Sequence, residues 1–333
     1  MKKLVILSVV VMLFLSMGVS YGQDSKTNYG AEDSTMDLID LKAIPQHYIS
    51  GAFVYATILE SVIEEVGLDP MNVCICNTYS QLSRIMLGAK LPDRMAERNV
   101  AQIRELMGDE NTLYGLAMVA YAVELEDMEI LSNATQIIKE TAGEDSWEYA
   151  LALFHCSCMT MDFDKYKDTE IALGYVKETV SLLENGHKES WLYPVSLAIR
   201  GWIKLVNQDE TFIDDVLKGY TILSDASNND DRYVCPLFYV STVVTSIYNL
   251  FEAYDKVMEI CLQIVPCLEE LELNQTDIYI SLNKNLCYAY AKKKQKKSAR
   301  EYYKKAYEAC VAMYGIGTKE YEKANLSSYE KML

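Results

Sequence analysis

The sequence predicts an all-α protein, a superhelical stack of antiparallel helix hairpins behind a cleavable signal peptide. Three observations carry this. From Ile44 onward, apolar-periodic stretches of helical length alternate with short polar turns, among them Asp69-Pro70, Leu91-Pro92-Asp93, Gly108-Asp109 and Gly143-Glu144-Asp145. Only 15 Gly and 6 Pro punctuate 333 residues that are 50% apolar, which is too little for a chain of short strands. Finally, one set of three apolar positions recurs at a near-constant step, the signature of a repeat architecture.

Taken in order, residues 1–22 have the three zones of a secretory signal. Lys2 and Lys3 lead into the apolar run Leu4 to Leu15, and Ser20 and Gly22 stand three and one residues before a cut ahead of Gln23. The run is short of the ~20 residues that span a bilayer as a helix, and no Cys follows it as a lipoprotein signal would require. Residues 23–40 are polar and without apolar period, a flexible leader. The helical domain is expected over 41–333: a cap helix over 41–68 containing the apolar segment Pro45 to Val66, repeats over 69–312, and a capping helix over 313–333 in which Tyr314-Gly315 leads into Tyr321 to Leu333.

The last full unit displays the repeat. Leu286, Cys287 and Tyr290 lie on one helix. Nine residues after Tyr290, a second helix carries Ala299, Tyr303 and Ala306, whose spacings of four and three share one face. The second-helix triad recurs upstream as Val257, Cys261 and Ile264; Val216, Tyr220 and Leu223; Ala172, Val176 and Thr179; and Ile130, Ala134 and Ile137. These steps are 42, 41, 44 and 42 residues, and one more of 34 reaches Ala96, Val100 and Ile103. First helices echo each other as well: Ser146-Trp147-Glu148-Tyr149 matches Ser190-Trp191-Leu192-Tyr193, Pro194 matches Pro236, and Tyr248 stands nine before Val257.

This pattern resembles the tetratricopeptide repeat (TPR), in an exported bacterial member of the family. In that repeat a small residue on each helix lets the pair approach closely and aromatic residues fill the gaps. The period of about 42 is similar to the lengthened variant found in kinesin light chains. The resemblance covers roughly residues 70 to 333 and implies a right-handed superhelix whose concave face holds an extended peptide or a partner helix. It therefore implies a protein-interaction scaffold that is periplasmic, secreted or on the cell surface. The alternative is a glycan-capture protein, similar to the starch-utilisation binders that embed TPR-like helices; those are larger and carry a lipobox Cys.

Composition narrows the partners. The formal charge of −17 becomes about −19 once Lys2 and Lys3 leave with the signal, which argues against nucleic acid because phosphate neutralisation supplies most of that affinity. Beyond the signal no apolar run approaches spanning length, so no integral membrane protein is expected after cleavage. The sharpest charge feature is Lys292-Lys293-Lys294-Gln295-Lys296-Lys297 in the turn of the last full unit. It reads either as a solvated turn or as a dock for acidic glycan, lipid phosphate or an acidic partner segment, with Lys292, Lys293, Lys296 and Lys297 as interchangeable point charges.

No catalytic residue, metal site or cofactor is assigned. Gly-rich phosphate loops, Gly-x-Ser-x-Gly elbows and HExxH helices are absent, and acidic pairs such as Glu64-Glu65 and Glu269-Glu270 read as solvated helix faces. Of the three His, only His155, three residues from Cys158 and beside Cys156, could share an ion, and two ligands make half a site. The nine Cys read as buried thiols: Cys74 and Cys76, like Cys156 and Cys158, point about 200° apart on a helix. Trp191 and Trp202 are expected to pack between helices, and part of the load of 25 Tyr to line the concave face.

Overall fold

The computed structural model describes residues 69–162, 166–230, 233–324 and 326–332. The expected signal peptide, leader and N-terminal cap helix lie outside the described residues. Within them the chain is all-helical, and each helix packs on the next as in an α-solenoid. The helices pair as α1 (Pro70–Leu87) with α2 (Met95–Met107), α3 (Thr112–Leu125) with α4 (Met128–Ala142), and α5 (Trp147–Asp162) with α6 (Thr169–Gly186). They continue as α7 (Leu192–Val206) with α8 (Phe212–Ser227), α9 (Val234–Leu250) with α10 (Tyr254–Glu270), and α11 (Asp277–Lys292) with α12 (Lys296–Tyr314). The short helices α13 (Lys319–Lys323) and α14 (Leu326–Glu330) follow.

Local chemistry sets the ends. Asp69 accepts from the Met71 and Asn72 amides at 3.0 and 3.2 Å with Pro70 at the first helical position, and Asp127 and Asp168 cap α4 and α6 in the same way. Pro194 and Pro236 both fall in the first turn of their helices, where the missing N–H costs nothing. One joint recurs inside four hairpins. The amides of Asp127, Asp209, Ala253 and Gln295 donate 2.8–2.9 Å bonds to carbonyls five residues earlier, behind Glu126, Gln208, Glu252 and Lys294 at φ of 54 to 61°.

Between the two helices of a hairpin, glycine admits the closest approach. A Cβ on Gly201 of α7 would lie 2.4 Å from Val216 Cγ2 and 2.6 Å from the Phe212 carbonyl of α8. One on Gly219 of α8 would lie 2.4 Å from the Pro194 carbonyl. The second-helix positions Ala96, Ile103, Ala172, Val176, Thr179, Val216, Leu223, Val257, Cys261, Ala299 and Ala306 are all buried in these interfaces. In α4 the register differs by one residue: Leu131, Ala134 and Ile138 are fully buried, whereas Ile130 and Ile137 are half-buried. The doublets Ile130-Leu131 and Ile137-Ile138 offer an apolar side chain to either register.

The first helices of successive hairpins also touch one another, from α1 to α3 through to α9 to α11. They therefore line one side of the stack, and that side closes on itself. The Asp277 amide at the start of α11 donates to the Gly88 carbonyl after α1 at 2.8 Å, α9 also contacts α1, and Lys319 pairs with Glu126 at 3.0 Å. At the C-terminal end, two short helices stand where one capping helix is expected. Tyr321 and Leu326 both face α12, and on a continuous helix they would point about 140° apart.

Candidate functional site

The inward faces of the first helices enclose a cavity of about 490 Å³. Its wall is mostly apolar: Ile85 and Met86 from α1, Val123 from α3, Phe154 and Met159 from α5, Trp202 from α7, Val243 from α9 and Ile278 from α11. A stripe on α5, His155, Cys158 and Asp162, supplies polar groups at spacings of three and four, one helical face. Tyr239, Thr242 and Ser246 of α9 and Asp277 and Ser281 of α11 face them. Apolar walls with a few convergent polar groups are the usual make-up of a ligand site.

His155 is 3% exposed, and its Nε2 has no hydrogen-bond partner among the described residues. Burial lowers its pKa to about 4, so the ring is neutral near pH 7. The Cys158 thiol and the Tyr239 hydroxyl share a hydrogen bond, and burial together with the Asp162 carboxylate raises the pKa of both, keeping both neutral. The cavity thus presents the neutral His155, Cys158 and Tyr239 side chains beside the carboxyl groups of Asp162 and Asp277. Ser246 is fixed by Asn285, whose amide donates to Thr245 Oγ1 at 2.9 Å and Ser246 Oγ at 3.2 Å and ties α9 to α11.

The sequence candidates are distributed differently. Lys292, Lys293, Lys296 and Lys297 sit at the end of α11 away from Asp277, ~20 Å along that helix. They are not equivalent. Lys293 pairs with Asp255 of α10, the Lys292 ammonium lies 5.2 Å from the centre of the Tyr288 ring, and Lys296 and Lys297 open α12 on the exposed surface. Leu286, Cys287, Ala299, Ala306, Val257 and Cys261 are buried, while Tyr248, Tyr290 and Tyr303 are half-buried; Tyr290 stacks on Tyr302 with centroids 5.5 Å apart. Trp191 is fully buried, edge-on to Trp147, whose Nε1 donates to Ser190 at 2.6 Å. Trp202, expected between helices, packs against the core but is half-buried and also lines the cavity wall.

Cys156 and Cys158 diverge as the helical spacing requires: Cys156 meets Thr135 of α4 while Cys158 faces the cavity. All nine Cys are free thiols, buried except for half-buried Cys158 and exposed Cys267. Sequence reasoning treated His155 as a packed core residue and did not single out Tyr239, Ser246 or Asp277. The signal available was the stripe of polar groups on an otherwise apolar α5. No protein-family model matches the chain, and no curated protein matches it significantly.

Proposed function

We propose that the chain is an exported binding scaffold built from TPR-like hairpins, whose partner peptide or protein inserts a short apolar segment into the cavity between the first helices. The observation that supports this most is a preformed cavity whose largely apolar wall carries the half-buried polar side chains Thr242, Ser246 and Ser281. A bound segment meets these hydroxyls with its own backbone N–H and C=O groups. The clasp from Gly88 to Asp277 favours a short insertion over the extended peptide of an open groove.

The test is a selection from a random peptide display library on the full chain, repeated on variants that fill the cavity, Ser281→Trp and Val243→Trp. Selected peptides are expected to bind the filled variants at least about tenfold more weakly, with melting temperatures close to the parent. Undiminished binding to both would remove the cavity from the proposal.

Glycan capture is the second reading, supported by one feature. Phe251 is 59% exposed and lies flat against Phe212, with centroids 6.0 Å apart, forming a small aromatic platform. Retention of an envelope glycan by the parent and not by Phe251→Ala would favour it.

A further inference from the structure

A second cavity, of about 470 Å³, lies at the C-terminal end of the stack and has a different chemistry. Between successive hairpins, a second helix is covered by the first helix of the next. Among the described residues α12 is followed by the two short helices α13 and α14, which cover it incompletely. Tyr303 and Tyr307, four residues apart on α12, and Tyr321 on α13 line the gap.

Their rings form a cage. Tyr303 and Tyr307 have centroids 6.1 Å apart at 27°, and Tyr321 stands edge-on to Tyr307 at 6.3 Å and 81°. A hydrogen bond between the Tyr307 and Tyr321 hydroxyls fixes the two rings relative to each other. Glu322 and Glu330 stand on the same wall, exposed, and no cation pairs with either among the described residues.

We propose that this cage binds an alkylated ammonium group, as in choline and related quaternary amines. Ring faces carry negative quadrupole charge and attract a cation within about 6 Å, and the two carboxylates add a net attraction. A primary ammonium or guanidinium must give up tightly held water to enter such a site. A quaternary ammonium has no N–H and is weakly hydrated, so it loses least on entering and touches the rings with its methyl groups. The cavity exceeds a trimethylammonium head in size, which leaves room for a tail. This site shares no residue with the cavity between the first helices and does not depend on the function proposed for it.

The experiment is calorimetric titration of the full chain with choline and with 3,3-dimethyl-1-butanol, its uncharged isostere of nearly the same shape. Choline is expected to bind saturably, and the isostere about tenfold more weakly or not at all. Tyr307→Leu should lower choline affinity about tenfold, Tyr307→Phe should lower it less because the ring stays while its hydroxyl bond to Tyr321 is lost, and Glu330→Gln, a surface change with no packing cost, should weaken it several-fold and reduce its salt dependence. Sedimentation with vesicles distinguishes the sources: retention on phosphatidylcholine but not on phosphatidylglycerol assigns the ligand to a lipid headgroup. Choline binding without vesicle retention assigns it to a free solute. Equal affinity for choline and its isostere, or choline binding undiminished in both Tyr307→Leu and Glu330→Gln, overturns the proposal, as does no binding of either ligand form.

Discussion

Replacing glycine by alanine at two helical positions should change stability in opposite directions, because only one of them lies against a backbone. In an exposed helix interior the substitution stabilises by up to about 1 kcal/mol. Gly174 in α6 has nothing within 4 Å of the added Cβ, so Gly174→Ala should gain most of that. At Gly201 the same methyl lies 2.4 Å from Val216 Cγ2, 2.6 Å from the Phe212 carbonyl oxygen and 3.0 Å from the Val216 amide nitrogen. Two of the three obstructing atoms are backbone, so rotating a side chain does not relieve the contact. Restoring normal separations of roughly 3.5–4 Å moves α7 and α8 apart by about 1 Å. Overpacking of this kind costs about 1–3 kcal/mol, and the backbone contacts place it at the upper end. Less the propensity gain, Gly201→Ala should lose about 2 kcal/mol, a fall of roughly 3 °C in melting temperature for a chain of this size. Urea unfolding followed by circular dichroism measures both variants against the parent. A Gly201→Ala protein as stable as Gly174→Ala would mean that α7 and α8 do not approach as closely as described.

Three further outcomes follow from buried polar and small groups. Asp215 is 7% exposed; burial pushes its carboxyl upward, but hydrogen bonds from Arg200 and Lys204 hold the pKa below the ordinary value, so its contribution is present above about pH 4 and lost as pH falls through the lowered pKa. Asp215→Ala, which strands both cations, should lower stability by about 3 kcal/mol at pH 7 and abolish that acid-dependent component. His155 titrates in a higher window. Its folded pKa of about 4 lies below the unfolded 6.5, so stability is fully present above pH 6.5 and declines as pH falls toward 4; NMR should show the ring neutral at pH 5.5, and His155→Phe should flatten the stability profile between pH 6.5 and 4. Ala299 is fully buried between α11 and α12, so Ala299→Arg should cost several kcal/mol through overpacking and buried charge, and a parent-like melting curve would contradict the register of that pair.

The helical class and the hairpin joints were legible because local signals carry them: Asp and Pro at helix starts, few breakers and a period near 42. The second-helix position Ala299 could be located because it stands alone as a small residue between Ser298 and Arg300, whereas Ala172 and Val257, with apolar neighbours Ile171, Leu173 and Met258, were found only through the repeat step. Doublets defeat that logic, and Ile130-Leu131 left α4 open to a shift of one residue. Gly201 and Gly219 were visible as glycines inside apolar helical stretches, a hint of close approach that periodicity counting passes over. The cavity was not legible. Trp202, Tyr239 and Asp277 meet only when the stack curves back on itself, and that curvature accumulates from small angles between hairpins that no single residue encodes. The lysine run stood out as a charge pattern, yet its pairing with Asp255 depends on the preceding hairpin.

The contact between Gly88 and Asp277 changes what kind of spring the molecule is. An open solenoid stretches by distributing small rotations over every joint, so each repeat behaves as an independent link. Here a left-handed glycine at φ +64° sits so close to Asp277 that a Cβ would lie 2.5 Å from its Cβ, and the two ends of the coil are fastened there. Extension cannot then be shared out along the length until that fastening parts. The first and last hairpins should accordingly loosen together, and a pull on the chain from either end should meet one abrupt yield before any gradual lengthening.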